Sequence, residues 1–465
     1  MSFDELPFPK VQNVKRLIEE INNPQYNVPK EFLDTFCKYD SIDATKKLCE
    51  RVILNNKVNI KEENIKNNNK KNILIYTGSL AKNGLTSSLL NLCNRIEKDK
   101  YNVYLTFNTN MVKLHAKTIR LFPEHIKYIP VDGKANANIL EKLMMIAYYR
   151  GKMPKFNFKA IEKINKYEIR REFHDIKFDT VIQFGGYDNK KIMLFSFFDA
   201  NRVIYVHSDM SKEISTRGNQ KKHILDYAYN TYDKVAVVTD SLVEPTMEFV
   251  HDKEKIKVVE NIIDDNSIRQ RASEKITFDK DTVCSIDIKE LKKILNSKKA
   301  IKFINVGRFS PEKGHERLIR AFNKIYLKNK NCYLVIIGGH GILYRKTLDL
   351  IKTLRCKKNV IIIKSMINPF PVVAKCNCFI LSSFYEGFGL VLAEADILGL
   401  QSFSVDIDGP RKFLVENNGN IVENTEKGIL QGMKKHLTKE LNNMTVDYDK
   451  YNKKALNAFY DLIER

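Results

Sequence analysis

Two glutamates that flank a glycine-rich segment have the spacing in this sequence that most suggests chemistry. Glu386 and Glu394 lie eight positions apart, on either side of the tetrapeptide 387–390. A strand is predicted before the segment and a helix begins near its end, so helix amides and the helix dipole could hold a phosphate there. Carboxylates beside a phosphate suit the hydroxyl groups of a ribose or a sugar, because one carboxylate accepts two hydrogen bonds from a diol. The alternative is a helix start whose glutamates only offset the dipole.

A guanidinium and an ammonium group follow another predicted strand, at 301–306. Arg308 comes directly after Gly307, and Lys313 stands beyond a Ser-Pro turn, just before a predicted helix. Two cations at the carboxyl end of a strand would neutralise a diphosphate and ease its departure as a leaving group. A surface turn is the alternative, but the glutamate pair elsewhere in the chain favours a nucleotide diphosphate site.

Alternating strands and helices must position these groups. The apolar runs that predict strands lie at 73–76, 103–107, 180–184, 202–206 and 234–238, and in a second series at 301–306, 333–337, 360–363, 378–381 and 401–405. Strands that are apolar on both faces and alternate with helices indicate parallel sheets covered on two sides. The fold class we expect is α/β, with two Rossmann-like doubly wound domains facing a cleft and an N-terminal helical extension.

Changes in composition set the expected divisions of the chain. A polar run rich in asparagine and lysine precedes the first strand series, and a charged, irregular stretch separates the two series. The expected parts are a helical extension at 1–70, an acceptor-side domain at 71–265, a linker at 266–300, a nucleotide-sugar-binding domain at 301–440 and a C-terminal helix at 441–465. Ligands of such sheets bind beyond the carboxyl ends of the strands, so the cleft between the domains is the expected active site.

The two constellations together resemble the diphosphate clamp and the E-x7-E motif of retaining GT-B glycosyltransferases of family 4. The clamp corresponds to Arg308 with Lys313, and the motif corresponds to Glu386 with Glu394. The resemblance covers about residues 73–440 and is most specific in its second half. It implies that the basic pair binds the nucleotide diphosphate, that the first glutamate lies near the donor sugar and that the second binds the ribose.

The resemblance extends to two positions in the first domain. Gly84 lies in a turn that resembles the glycine-rich loop of the family, and His207 follows a strand as does the family histidine at the floor of the donor-sugar pocket. A structural histidine is the alternative for the second position. The catalytic residues implied are Glu386, His207, Arg308 and Lys313. The donor-binding residues implied are Gly84, Gly307, Gly387, Phe388, Gly389, Leu390 and Glu394.

These roles imply a hexosyltransferase that moves a sugar, with retention, from a nucleotide diphosphate sugar to a hydroxyl of a cell-surface polymer such as teichoic acid or capsule. The expected donor is a UDP-linked hexose or N-acetylhexosamine. No metal or other cofactor is expected, since Arg308 and Lys313 can supply the positive charge, and the D-x-D tripeptides at 279–281 and 406–408 are ascribed to chance. The alternatives are a non-catalytic glycosyltransferase-like subunit that recognises acceptors and a nucleotide-sugar epimerase.

The charge of the chain fits an anionic partner. The 465 residues include 78 Lys and Arg against 56 Asp and Glu, a net charge of +22. Residues 142–173 combine nine basic and three acidic residues with several tyrosines and phenylalanines, a mixture that predicts contact with an anionic polymer or membrane. Codon bias toward lysine is the competing explanation. A nucleic-acid partner is not expected, because no binding module is recognisable.

Cysteine usage and hydropathy indicate the compartment. The eight cysteines are scattered without a CxxC pair, which predicts a reduced, cytoplasmic protein. No apolar run reaches the length of a membrane span, so any contact with the inner face of the cell membrane would be peripheral. A homo-oligomer formed through the N-terminal extension is a further expectation.

Overall fold

Two sheets of seven strands each form the framework of the computed structural model. The structure describes residues 11, 14–23, 30, 33, 43–56 and 69–464, without 82, 133–134, 152–157, 279–281, 339–340, 365 and 367. The strands of the first sheet are β1 (Lys71–Tyr76), β2 (Tyr101–Asn108), β3 (Lys127–Val131), β4 (Thr180–Gln183), β5 (Asn201–Val206), β6 (Lys234–Val237) and β7 (Ile256–Val258). Those of the second are β8 (Val283–Cys284), β9 (Ile301–Val306), β10 (Cys332–Gly338), β11 (Val360–Lys364), β12 (Cys378–Leu381), β13 (Gln401–Val405) and β14 (Asn420–Val422).

Helices cover both faces of these sheets. Those that precede or accompany the first sheet in sequence are α1 (Val14–Asn22), α2 (Ala44–Val52), α3 (Gly84–Arg95), α4 (Asn110–Leu114), α5 (Ala116–Ile119), α6 (Ile139–Tyr149), α7 (Phe158–Phe173), α8 (Asn189–Phe195), α9 (Met210–Lys212), α10 (Lys222–Thr231) and α11 (Val243–Met247). The later helices are α12 (Asp265–Ala272), α13 (Ile288–Asn296), α14 (His315–Lys328), α15 (Tyr344–Thr353), α16 (Phe370–Val373), α17 (Leu390–Ile397), α18 (Asp408–Glu416), α19 (Glu426–Leu437) and α20 (Tyr448–Ile463). The predicted α/β fold with two doubly wound domains is confirmed.

Each sheet has one pair of neighbouring parallel strands at which the order of its strands reverses. The first sheet runs β3-β2-β1-β4-β5-β6-β7 and the second runs β14-β13-β12-β9-β10-β11-β8, so the reversals fall between β1 and β4 and between β9 and β12. In the second sheet Phe379 lies opposite Ile304 in parallel register, which makes β9 and β12 end at the same level. Crevices at such reversals are where doubly wound sheets bind ligands.

The last helix ties the two domains together. α20 follows the second sheet in sequence, but Phe459 and Leu462 are buried in the hydrophobic core of the first sheet. Thr180 Oγ1 on β4 donates to the Ile463 carbonyl at 3.2 Å, and Asn201 Nδ2 on β5 donates to the Leu462 carbonyl, also at 3.2 Å. The sequence predicts a C-terminal helix here but not its return to the first domain.

Two segments that the sequence places outside the two expected domains also contain helices or strands. Within the expected linker, β8 pairs with β11 at the edge of the second sheet, and α13 buries Leu291 and Leu295 in the second core. Within the expected N-terminal extension, α1 and α2 are helical, and α1 has no buried residue. Of the rest of the extension before residue 69, the structure describes only residues 11, 23, 30, 33, 43 and 53–56.

Candidate active site

Lys313 and Glu386 form an ion pair beside the reversal point of the second sheet. Lys313 ends a short helical turn, Pro311–Lys313, that follows β9, and Glu386 stands in the loop after β12. The Lys313 ammonium group contacts Glu386 Oε1, and Ser383 Oγ donates to the same oxygen at 2.7 Å. Both side chains of the pair are largely shielded from solvent. Residues 73 positions apart in the sequence therefore meet, because their strands are parallel neighbours.

Glycine at position 314 allows this approach. Gly314 has a φ of +63°, and a Cβ placed there would lie 2.3 Å from the carbonyl oxygen of Ser382. Ser382 Oγ donates to the Lys313 carbonyl at 2.9 Å, which joins the two loops. Gly307 is also close to the lysine, since a Cβ there would lie 3.3 Å from Lys313 Cδ. A side chain at Gly314 would force the lysine and the glutamate apart.

Arg308 lies on the more open side of the same loop. Its side chain is 51% exposed, and its Nη2 lies 3.3 Å from Glu312 Oε1. Glu312 is buried and accepts a hydrogen bond from Ser310 Oγ at 2.6 Å. A guanidinium that is half open to solvent can turn toward an anion, because its present partner is only one carboxylate oxygen.

Arg317, which the sequence analysis did not single out, holds the loop that carries Glu386. Its Nε and Nη2 donate to the Ser382 carbonyl at 3.0 and 2.7 Å, and Nη2 also donates to the Ser383 carbonyl at 2.9 Å. The guanidinium carbon lies 3.8 Å from the centroid of the Phe384 ring. Burial lowers the pKa of Arg317 to about 10, so the group stays charged at neutral pH. The one sequence signal for Arg317 is that an arginine occupies a position of α14 that helical spacing places among its core-facing residues.

His207 brings the first domain to the site. It directly follows β5, and its Nε2 lies 2.8 Å from the Phe184 carbonyl oxygen. A carbonyl only accepts, so Nε2 carries the proton and Nδ1 is left as an acceptor. Burial lowers the pKa of His207 to about 4, which keeps the imidazole neutral at pH 7. The ring stacks on Tyr205 with a centroid separation of 5.7 Å.

The backbone of His207 touches the loop of Glu386 across the cleft. A Cβ placed on Gly387 would lie 2.2 Å from the His207 carbonyl oxygen, so the two main chains are in direct contact. Gly409 packs behind them, where a Cβ would lie 2.1 Å from the Gly387 carbonyl oxygen. The structure thus places the main chain of His207 against the glycine segment, and the loop that begins this segment also carries Glu386, the partner of Lys313.

The glycine segment ends at the start of α17. Gly389 has a φ of +81° and immediately precedes Leu390, the first residue of the helix. Phe388 is buried beside Phe413 and Tyr451, with ring centroids 5.2 and 6.1 Å away. The ring of Phe388 therefore belongs to an apolar cluster, and only its main chain is available to a ligand. Leu390 packs against the same cluster.

Glu394 lies one turn into α17 in a low-dielectric setting. Burial raises the pKa of Glu394 to about 7, while the charge of Arg271 opposes that shift. Arg271 is on α12, and its guanidinium carbon lies 4.6 Å from the centroid of the Phe370 ring. Hydrogen bonds from ligand hydroxyl groups would favour the ionised carboxylate.

Gly84 lies at the first turn of α3, after the carboxyl end of β1. Asn83 caps the helix by accepting a hydrogen bond from the Thr86 amide at 3.0 Å. A Cβ placed on Gly84 would meet no atom within 4 Å, so the space beside it is open. The tight glycine contact in this region lies elsewhere, where a Cβ on Gly185 would be 3.1 Å from Gly78 Cα.

The described residues hold neither a cluster of metal ligands nor a membrane-spanning helix. No group of three or more His, Cys, Asp or Glu side chains that could hold a metal ion occurs among them; positions 279–281 lie outside that part of the chain. No helix in the described part combines the length and the apolar character needed to span a bilayer.

Comparisons with known proteins show what the chain is similar to. Residues 287–455 match the family described as "Glycosyl transferases group 1", and this range contains the clamp and both glutamates. The chain is 27% identical over 274 residues to an uncharacterized glycosyltransferase of Methanocaldococcus jannaschii, covering 55% of this chain and 62% of that one. It is 26% identical over 253 residues to an N-acetylgalactosamine-N,N'-diacetylbacillosaminyl-diphospho-undecaprenol 4-alpha-N-acetylgalactosaminyltransferase of Campylobacter jejuni, covering 53% and 61%. The chain thus spans about three fifths of the length of these curated relatives.

Solved structures show the same fold. The structure of Anabaena Alr3699/HepE in complex with UDP and glucose superimposes with a TM-score of 0.58 at 15% identity, over 84% of this chain and 97% of that one. The protein therefore has the two-domain GT-B fold. The family match covers about a third of the chain, and the two curated relatives are themselves named as glycosyltransferases.

Proposed function

We propose that this protein is a retaining glycosyltransferase of family 4 that transfers a sugar from a nucleotide diphosphate donor to a hydroxyl group of a glycan acceptor. The observation that carries the proposal is the meeting of Lys313 and Glu386 opposite His207 at the mouth of the cleft. The pair offers a cation for a diphosphate and a carboxylate for sugar hydroxyl groups, and in this proposal the neutral imidazole of His207 faces the same donor.

The proposed step breaks the bond between the anomeric carbon and the diphosphate oxygen. The acceptor oxygen forms the new bond on the same face of the sugar, and its proton moves to the departing phosphate. Negative charge grows on the diphosphate as the bond breaks, so Arg308 and Lys313 stabilise the transition state more than the ground state. In this scheme the donor draws Lys313 toward its phosphate, while Glu386 keeps the hydrogen bond from Ser383 and gains sugar hydroxyl groups.

The remaining residues hold the donor. Glu394 accepts hydrogen bonds from the ribose diol, and the amides at the start of α17 face the phosphate. Nδ1 of His207 accepts a hydrogen bond from a sugar hydroxyl, because its Nε2 is committed to Phe184. The open space beside Gly84 leaves room for the sugar or the acceptor.

The donor and the acceptor are proposed by class. We assign a UDP-linked hexose or N-acetylhexosamine as the donor and a surface glycan such as capsule or teichoic acid as the acceptor. Support comes from relatives of the chain, which include a protein named as a capsular polysaccharide biosynthesis glycosyltransferase of Staphylococcus aureus, 28% identical over 152 residues. We place the reaction in the cytoplasm at the inner face of the membrane, and we propose that it needs no metal, since two cations serve the diphosphate.

A panel of nucleotide sugars tests this function. A donor at about 100 times its dissociation constant should stabilise the protein by about 2.7 kcal/mol in a thermal unfolding scan. The matching donor is then incubated with glycan acceptors, with and without a chelator, and the product is examined by NMR. An α-linked product from an α-linked donor, formed equally with the chelator, supports the proposal. An inverted linkage, or a changed sugar nucleotide formed without acceptor, contradicts it and in the second case indicates an epimerase.

A further inference from the structure

One face of α6 is apolar and open to solvent. Ile139, Leu140, Leu143 and Ile146, the apolar stripe, are 77%, 68%, 58% and 48% exposed. Their spacing places them along one side of the helix, while Tyr148 on the opposite side is buried. Four large aliphatic side chains exposed side by side are unusual on the surface of a soluble protein and indicate an interaction site.

A row of basic side chains runs along the neighbouring helix, α7. Lys159, Lys163, Lys166 and Arg170, the basic ridge, follow helical spacing and are all exposed. Lys163 Nζ lies 3.5 Å from Glu141 Oε1 on α6, which places the ridge beside the apolar stripe. Lys166 is paired within the ridge helix to Glu162 at 2.7 Å.

Most acidic side chains of α7 point away from this surface. Glu168 is buried, accepts a hydrogen bond from the Asn136 amide at 3.0 Å and pairs with Arg171 at 2.6 Å. Glu172 is also shielded and pairs with Lys191 at 3.3 Å. The sequence mixes nine basic with three acidic residues in this region, but the fold turns two of the three acids inward. The outward face is consequently much more positive than the composition suggests.

We propose that the apolar stripe and the basic ridge together form a docking surface for an anionic lipid bilayer. The aliphatic side chains enter the boundary between head groups and acyl chains, and the lysines and arginine contact lipid phosphates. Charge complementarity selects this occupant, because none of the exposed residues of α6 is acidic, while Lys142 on α6 and Arg150 just after its last residue are exposed.

The position of the surface suits a membrane-bound acceptor. α6 follows β3, whose carboxyl end neighbours that of β2 at the edge of the sheet where the cleft opens. Docking would hold the cleft near the bilayer, so an acceptor carried by a lipid could be reached. The surface does not depend on the proposed chemistry, since no residue of the candidate active site belongs to it.

Vesicle co-sedimentation of the full chain tests the proposal. The wild-type protein should bind vesicles containing about one third phosphatidylglycerol, bind phosphatidylcholine vesicles far less, and lose binding as salt increases. A Lys159→Gln/Arg170→Gln variant should bind about 30-fold more weakly, from about 1 kcal/mol for each basic side chain. A Leu140→Gln/Leu143→Gln variant should bind the vesicles at least about tenfold more weakly, because less apolar area is buried in the bilayer.

A matched control separates docking from general hydrophobicity. Val415 on α18 is 68% exposed and lies on the second domain, so Val415→Gln should leave vesicle binding unchanged. Thermal unfolding and UDP binding of each variant report whether the fold and the donor site are intact. Equal vesicle binding by wild type and both double variants overturns the proposal, as does self-association that the stripe variant abolishes, since a second copy would then cover this face. If the wild-type protein bound vesicles but did not bind UDP, the proposed function would be refuted and the docking surface would stand.

Discussion

Replacement of Gly387 by alanine should impair catalysis far more than it weakens UDP binding. The added Cβ would lie 2.2 Å from the His207 carbonyl oxygen, whereas real Cβ atoms keep at least 3.0 Å. The two main chains must therefore separate by about 0.8 Å, and neither is a flexible side chain end that could give way. A misplacement of that size between reacting groups costs roughly hundredfold in rate. We expect kcat/KM to fall by that factor.

Steady-state kinetics and calorimetric titration of UDP check this prediction together. UDP affinity should fall much less than kcat/KM, because alanine retains the main-chain amide at position 387 and the substitution leaves the side chains of Arg308, Lys313 and Glu394 unaltered. Gly399→Ala is the matched control: Gly399 has a φ of +76° with no atom within 4 Å of an added Cβ, and it stands before the amino end of β13, at the opposite edge from the cleft. It should lower stability by about 1 to 2 kcal/mol and leave kcat/KM unchanged. A Gly387→Ala enzyme with wild-type kcat/KM would refute the contact between the domains.

Three further predictions concern individual side chains. Arg317→Met should cost about 3 kcal/mol in urea unfolding, because the Ser382 and Ser383 carbonyls lose a buried charged donor, and should also lower kcat; unchanged values of both would contradict the positioning role. The pKa of His207 is about 4 in the folded protein and about 6.5 in the unfolded chain. As pH falls, the unfolded chain is protonated at this position first, so the folded state loses stability. Wild type should therefore lose about 2 kcal/mol more stability than His207→Asn between about pH 7 and about pH 4.5, and parallel losses would refute this. Burial raises the pKa of Glu394 to about 7, so UDP affinity measured by calorimetry should increase from about pH 6 to about pH 8 in wild type more than in Glu394→Gln; equal slopes would count against a ribose contact.

The sequence predicted the elements that position the site, because their strands are short apolar runs and apolar residues recur at helical spacing in their helices. The parallel pairing of β9 with β12 explains why two distant motifs, at Lys313 and Glu386, predict one site. These inferences need only local patterns and the rule that ligands bind at carboxyl ends of strands.

The parts that the sequence did not reveal depend on tertiary contacts. Phe388 stands inside a motif but packs its ring against Phe413 and Tyr451, and a motif does not show which atoms face the ligand. Arg317 resembles an ordinary helical arginine until its carbonyl partners are known. The inward turn of Glu168 likewise depends on the loop that supplies the Asn136 amide.

Donor turnover by a lysine variant tests the central claim most directly. The measurement is release of nucleotide diphosphate from the matching sugar nucleotide in the presence of acceptor, by wild type, Lys313→Ala and Lys324→Ala. Lys324 is a surface lysine on α14 that pairs with Glu426 at 2.6 Å, so its loss should leave turnover unchanged. We predict that Lys313→Ala lowers the rate by about 100-fold or more, since it removes a cation from the leaving group. A Lys313→Ala enzyme that turns over as fast as the Lys324→Ala control would contradict the account.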